Sequence, residues 1–343
     1  MTSRRFNFAS DNTAGICPEA WDAMQAANTD FFASYGSDDH TRRACDLMRD
    51  FFGAPCEVFF VFNGTAANSL ALASLCQSYH SVVTYEYSHV ETDECGAPEF
   101  FSNGSKLLLV GGAEGKMECA QIEKMITKRK DIHYPRPQVL SISQSTELGT
   151  VYSVGEIRTL CSLAESHGLR VHMDGARFFN ALASTGASPA DLTWKAGVDV
   201  LCLGGTKAGI GTSEAVVFFD TKLAAEFGYR CKQAGQLASK MRFLSAPWCA
   251  ALTDNVWRKH ADNANNLAKE LAKRAAQIPG VQLARTPEAN AVFLTLPADM
   301  RARLDAAGWA FYSFIGVGEC RFMTNWATTI ADVEALVSDM RGA

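Results

Sequence analysis

Short apolar strings alternate with amphipathic stretches through the first two-thirds of the chain. Val58-Phe59-Phe60-Val61-Phe62 is followed by Asn63-Gly64-Thr65 and a small-residue helical stretch over 66–76. Further apolar strings lie at 81–84, 106–110 and 138–142; a helical pattern over 154–167 leads into 169–173. The stretch 189–196 leads into 198–203, and 215–219 follows. Strands separated by helices of this length predict βαβ units and a mostly parallel sheet. Their β-branched and aromatic content, without polar alternation, predicts strands covered on both faces.

The pattern changes near residue 250. A polar helix is predicted over 254–277, with Leu267 and Leu271 one turn apart on one face, and Pro279-Gly280 stops it. Strands at 282–284 and 291–296 follow, then helices at 300–307 and 330–340 flanking an apolar string at 320–324. The expectation is an α/β chain with a large domain over 1–250, including an N-terminal arm over about 1–14, and a smaller α+β domain over 251–343.

Composition narrows the functional classes. With 343 residues, 48% hydrophobic, 20% charged and a formal charge of −5, the chain can bury a core and is not disordered. It carries no basic excess to neutralise phosphates, so no nucleic-acid partner is expected. The eleven cysteines are scattered without the close pairs of a zinc site, and are expected to be free, packed thiols. The first twelve residues lack an apolar signal region, and the longest apolar runs are too short for a bilayer. A cytoplasmic protein with no membrane partner is expected.

In open α/β sheets, ligands gather beyond the carboxyl ends of the strands. Three such places carry reactive residue types. At Asn63-Gly64-Thr65 a strand meets a helix start, where orphan N–H groups favour a phosphate; the plain alternative is a structural N-cap. At His172-Met173-Asp174-Gly175-Ala176-Arg177 an acid closes an apolar strand, the alternative being a loop-ordering Asp174–Arg177 ion pair. At Gly204-Gly205-Thr206-Lys207-Ala208-Gly209 a lysine follows a buried strand, the alternative being a solvated loop lysine. Pyridoxal phosphate (PLP) needs an imine-forming lysine, a carboxylate on its pyridine nitrogen and a phosphate cup. Lys207, Asp174 and the Gly64-Thr65 helix start supply them in turn.

The motifs carrying a family resemblance are Ser10-Asp11-Asn12, Tyr35-Gly36 with Asp38-Asp39, Gly64-Thr65-Ala66-Ala67-Asn68, His89, His133, the run from His172 to Ala181, Lys207 and Arg321. Across essentially the whole chain the sequence resembles the low-specificity L-threonine aldolases, PLP enzymes of the aspartate-aminotransferase type I fold. The resemblance implies retro-aldol cleavage of L-threonine, L-allo-threonine and phenylserine-like substrates to glycine and an aldehyde. It further implies that Lys207 carries PLP, Asp174 pairs with the ring nitrogen, Gly64 and Thr65 bind the phosphate, and His89 stacks on the ring. Arg177 would lie near the ring oxygen and the substrate carboxylate, which Ser10 and Arg321 would also hold. His89, His133 or a water held by one of them would be the base. A homotetramer, a dimer of dimers with shared active sites, is implied as well.

The sequence departs from the family pattern at Gln144-Ser145-Thr146, at 237–243 and in the Gly-Gly-Thr context of Lys207. Arg230, Lys232 and Lys240 are candidates for a cross-subunit phosphate contact or, equally, a solvated basic face. Phe31-Phe32 and Phe100-Phe101 are expected to pack in the core or to line a pocket for an aryl substrate. His172 is expected to face away from Asp174. The rival activities are a β-eliminating lyase or an aminotransferase of the same fold; a rival of another class is a non-catalytic binding protein.

Overall fold

The computed structural model describes residues 4–313 and 319–342. Seven strands form the main sheet: β1 (Glu57–Val61), β2 (His80–Tyr85), β3 (Lys106–Val110), β4 (Arg136–Ser143), β5 (Arg170–Gly175), β6 (Val200–Leu203) and β7 (Glu214–Phe218). The bounds of each lie within two residues of a string in the hydrophobic pattern. Their order is β1-β7-β6-β5-β4-β2-β3; β7 runs antiparallel to both neighbours and the remaining pairs are parallel.

The apolar strings read without alternation because both faces are covered. Val82, Val200, Cys202, Val216 and Phe218 pack on one side with the helix Gly64–Leu75, whose Leu70, Ala71 and Leu72 are buried. Their neighbours in the chain, Val83, Leu201, Leu203 and Val217, join Met48, Phe52, Phe178 and Trp248 on the other side. Because β1, β2, β4, β5 and β6 run the same way, their carboxyl ends share one edge. There β7, running backwards, presents its first residue, Glu214.

A second sheet, all antiparallel, contains β8 (Gln282–Leu283), β9 (Ala291–Thr295), β10 (Tyr312–Ser313) and β11 (Glu319–Met323) in the order β10-β11-β9-β8. Helices Ala298–Ala306 and Ile330–Arg341 pack on it through Leu304, Leu336 and Met340. The long helix Val256–Ala275 joins the two cores: Ala261 packs in the first, Ala268 and Leu271 in the second.

The N-terminal arm, grouped by sequence with the large domain, is stitched to the second sheet. Phe8 is fully buried in its core against Trp309, and the Met323 N–H donates to the Phe8 carbonyl at 2.9 Å. Arg5 N–H donates to Gly308 O at 2.8 Å and Ala310 N–H to Arg5 O at 2.9 Å. Two expectations need correction. Phe31 and Phe100 are exposed, so they are not core residues of the single chain. His172 lies on the same face of β5 as Asp174, as residues two apart on a strand must; it bonds Ser141 Oγ at 2.9 Å and Cys202 Sγ at 3.3 Å. The cysteines are free, and all but Cys95 are buried or half-buried.

Truncating Phe8 removes the arm's one fully buried aromatic anchor. Phe8→Ala should lower stability by about 3–5 kcal/mol, with limited proteolysis cutting first in the arm. Denaturant melts unchanged from the parent would show that the arm does not depend on this contact.

Candidate active site

The shared strand edge collects the reactive residues. Asp174 is the penultimate residue of β5, and Gly175 closes the strand where a Cβ would meet Leu201 Cδ1 at 2.6 Å and the Cys202 carbonyl at 2.9 Å. Only glycine lets β5 and β6 approach this closely, which draws Asp174 inward. Its Oδ1 accepts the Ala176 N–H at 2.9 Å and its Oδ2 accepts Asn68 Nδ2 at 3.0 Å. Burial pushes the carboxyl up, but the charges of His89 and Lys207 and the Ala176 N–H outweigh it and hold Asp174 below the usual carboxylate range. Asp174 is therefore a buried anion.

Lys207 stands on the 3-10 turn Thr206–Ala208 just beyond β6. Gly204 enables this turn, since a Cβ there would lie 2.2 Å from the Ala176 carbonyl. Glu214 supports it from β7: its Oε2 accepts the Gly205 N–H at 2.6 Å. Burial pushes the Glu214 carboxyl up to about 7, against the pull of Thr206 and Lys207. The Lys207 charge acts on Asp11, Asp174, His89 and Glu214 alike, so the half-buried amine sits among them rather than in a solvated loop.

Two more elements open toward this group. Asn63 caps the helix Gly64–Leu75 by accepting the Ala66 N–H at 2.9 Å, which leaves the first two N–H groups, those of Gly64 and Thr65, for an anion. The cap and the phosphate cup are thus compatible uses of one helix start. His89 begins the short helix His89–Thr92 beyond β2. Its Nδ1 meets Glu94 Oε1 at 2.7 Å, and Asn68 Nδ2 donates to that same oxygen at 2.8 Å.

Arg177 does not pair with Asp174. It forms a fork on Asp11, with Nε to Oδ2 at 2.7 Å and Nη2 to Oδ1 at 3.0 Å, and Asn290 Nδ2 donates to Oδ2 at 3.1 Å. Both partners are buried. Burial opposes the Asp11 charge, yet Arg177, Lys207 and Asn290 hold its carboxyl below the usual range. Arg321 lies on β11 near this pair: burial and the Arg177 charge pull its guanidinium down, with Glu147 and Asp11 opposing. Ser10 is the half-buried cap of the turn Asp11–Thr13, its Oγ accepting the Asn12 N–H at 3.2 Å.

His133 stands apart from this group within the chain. It is exposed and lies three residues before β4, at the amino end of a strand whose other end, Ser143, reaches the site edge. An eight-residue strand spans roughly 26 Å, so within one chain His133 is kept from His89 by the sheet itself. Glu94 and Glu214 are passed over in the sequence, and Asp11 and Asn68 stand in motifs without a role. Asn68 stands one helical turn after Gly64, and Glu94 five residues after His89; only tertiary contact reveals what they touch. The departure at Gln144 has a structural use, its amide bonding both backbone groups of Tyr152 at 2.8 and 3.0 Å.

Two stability measurements follow from this geometry. Asp11→Ala strands the buried Arg177 charge and should cost about 3–5 kcal/mol; a loss below 1 kcal/mol would mean that Arg177 re-pairs. Burial drops the His172 imidazole to about 4 from 6.5. Between those values the unfolded chain binds the proton that the fold refuses, so stability falls as pH falls through that window. His172→Gln should flatten the dependence there by up to about 1.4 kcal/mol per pH unit, read from denaturant melts at several pH values.

Comparison with known proteins identifies the family. Residues 7–299 match the beta-eliminating lyase family. A low specificity L-threonine aldolase from Pseudomonas aeruginosa is 57% identical over 341 residues, covering 99% of each chain. A threonine aldolase structure from Leishmania major superposes with a TM-score of 0.91 at 28% identity, over 98% of this chain and 99% of that one. Aspartate aminotransferase from Thermus thermophilus, at 16% identity and a TM-score of 0.73 over 99% of this chain and 92% of its own, shares the fold. The chain belongs to the beta-eliminating lyase family and, within it, to the low-specificity L-threonine aldolases.

Proposed function

We propose that this chain is a PLP-dependent aldehyde-lyase that cleaves the Cα–Cβ bond of L-threonine, L-allo-threonine and other L-β-hydroxy-α-amino acids, phenylserine included, to glycine and an aldehyde. The observation that carries the reading is the buried Asp174, hydrogen-bonded by the Ala176 N–H and Asn68, at the same sheet edge as the Lys207 turn. The donor set fits PLP: an amine for its aldehyde carbon, an anion for a protonated ring nitrogen, and two free N–H groups at a helix start for its phosphate. When bound, PLP supplies a ring that accepts the electron pair left at Cα.

The remaining work falls to side chains of this chain. Lys207 would hold the cofactor, with Gly64 and Thr65 on its phosphate and His89 against its ring. Asp174 would keep a proton on the pyridine nitrogen, because a fixed buried anion stabilises a cation next to it. Arg177, already oriented by Asp11, and Arg321 from the second sheet would receive the substrate carboxylate, with the Ser10 hydroxyl donating to it. This clamp would fix the substrate about Cα and so select the Cα–Cβ bond for cleavage over the other bonds to Cα. His89, at its Nε2, or a water it holds would take the β-hydroxyl proton.

The domain division near residue 250 gives the clamp its parts, since Arg321 belongs to the smaller unit and Arg177 to the larger. A cytoplasmic homotetramer, built as a dimer of dimers with shared sites, completes the proposal. Of the described residues, Phe31, Phe100, Ile132 and Tyr229 are the large apolar side chains most exposed in the single chain, where such an assembly could cover them. Among Arg230, Lys232 and Lys240, the Lys232 ammonium lies 4.6 Å over the Tyr35 ring. Among the described residues no helix is long and apolar enough to cross a membrane.

The test is incubation of the PLP-loaded protein with L-threonine. Glycine and acetaldehyde should appear in equal amounts, and Lys207→Ala should abolish both the turnover and borohydride trapping of the cofactor. Release of pyruvate and ammonia, or a requirement for a 2-oxo acid, would overturn the aldolase reading in favour of a β-lyase or an aminotransferase.

A further inference from the structure

His89 is braced from behind in a way that the proposed reaction does not require of a residue that merely stacks. Glu94 is buried, and its Oε1 takes both the His89 Nδ1 contact at 2.7 Å and an Asn68 N–H at 2.8 Å. The same Asn68 nitrogen donates its other hydrogen to Asp174 Oδ2 at 3.0 Å. Donor atoms of His89, Glu94 and Asp174 all lie within 4.8 Å of one another. Two carboxylates this close are tolerated because an amide NH2 sits between them. Its orientation is fixed by chemistry, since the amide oxygen would face two acceptors. The Asn68 Oδ1 is buried with no hydrogen-bond partner among the described residues. That orphaned oxygen is a cost of the bridge, and a leucine at this position would avoid it.

We propose that Glu94, held in place by Asn68, is a positioning residue that makes His89 the proton acceptor of the reaction by fixing its hydrogen on Nδ1. This deepens the aldolase reading and rests on it. A carboxylate on Nδ1 selects one tautomer, so the lone pair of neutral His89 lies on Nε2, the nitrogen left to meet a substrate. The β-hydroxyl O–H bond breaks and an N–H bond forms at Nε2. The oxygen's electron pair becomes the second C–O bond of the aldehyde as the Cα–Cβ bond parts; the pair of that bond stays at Cα, which takes a proton from water to give glycine, and His89 returns its own proton to the solvent. The imidazolium formed in this step faces Glu94 and Asp174, which stabilise it, and Lys207, which opposes it.

Burial works to lower the His89 proton affinity, and Glu94 with Asp174 overcomes it, so the ring is held above its ordinary value. Burial likewise raises Glu94, against the pull of His89 and Asn68. Both directions keep a proton between imidazole and carboxyl, whereas a ring used only for stacking gains nothing from such a pair.

The experiment compares the parent with Glu94→Gln, which keeps the shape and removes the charge, and with Glu94→Asp. In histidine-labelled apoprotein followed by nitrogen NMR, with the His89 signal assigned from His89→Asn, the parent should keep Nδ1 protonated throughout while Nε2 titrates. In Glu94→Gln that titration should move at least one pH unit lower. In the loaded enzyme the acid limb of kcat for L-threonine should move the same way, with kcat lowered on the order of 10²-fold, KM little changed and Glu94→Asp partly restored. Should Glu94→Gln not fold, Asn68→Ala is expected to shift the His89 titration in the same direction by a smaller amount. Superimposable titrations and pH profiles in parent and variants would overturn the proposal and leave Glu94 a packing residue. A parent that makes no glycine from L-threonine would instead defeat the aldolase reading, while the apoprotein titration still reports whether Glu94 controls the His89 ring.

Discussion

A carboxylate held ionised inside the protein is the constraint around which this chain is arranged. Asp174 sits at the end of a strand covered on both faces, where an isolated anion is strongly disfavoured. Its charge survives because the Ala176 N–H and the Asn68 amide reach it, and because His89 and Lys207 stand within electrostatic range. Each of these comes from a different element: the turn after β5, the helix after β1, the turn after β2 and the turn after β6. Keeping Asp174 charged therefore assembles most of the site. The parallel sheet is what makes this possible, since it delivers those four turns to one edge.

A second buried charge pair plays the matching role for the smaller unit. Asp11 belongs to the N-terminal arm, Arg177 to the turn after β5 and Asn290 to the segment leading into β9, and the three meet through hydrogen bonds. Phe8 anchors the arm in the second core three residues before Asp11. The arm thus ties the orientation of Arg177 to the position of the second sheet, which also carries Arg321. A buried pair of this kind contributes little net stability but is costly to break, which suits an element that must hold its geometry.

The element pattern was largely legible because it rests on local physics. Apolar strings without alternation mean covered strands, and every strand of the main sheet matches one. The small-residue stretch after Gly64 is a helix because Asn63 caps it and its side chains pack against the sheet face. The Lys207, Asp174 and Gly64 positions were readable for the same reason, since each stands where a predicted strand stops. The antiparallel sense of β7 was not readable: strand direction is set by pairing, and an apolar string is the same in either direction.

The sequence by itself determined the alternation of strands and helices, the lysine, acid and helix start at strand ends, and the family. These follow from side-chain periodicity and motif spacing, which are properties of neighbouring residues. Only the tertiary structure decided which charges meet. Arg177, three residues from Asp174, turns instead to Asp11, because a planar guanidinium needs a carboxylate presented edge-on and the N-terminal arm provides one. His133, grouped with His89 by motif, lies at the far end of β4, because a strand carries its two ends to opposite edges of the sheet. Glu94 shows no signal in the chain, and Asn68, though part of a motif, has no role that the motif assigns. Their meaning arises where a buried amide bridges two carboxylates brought together from distant elements.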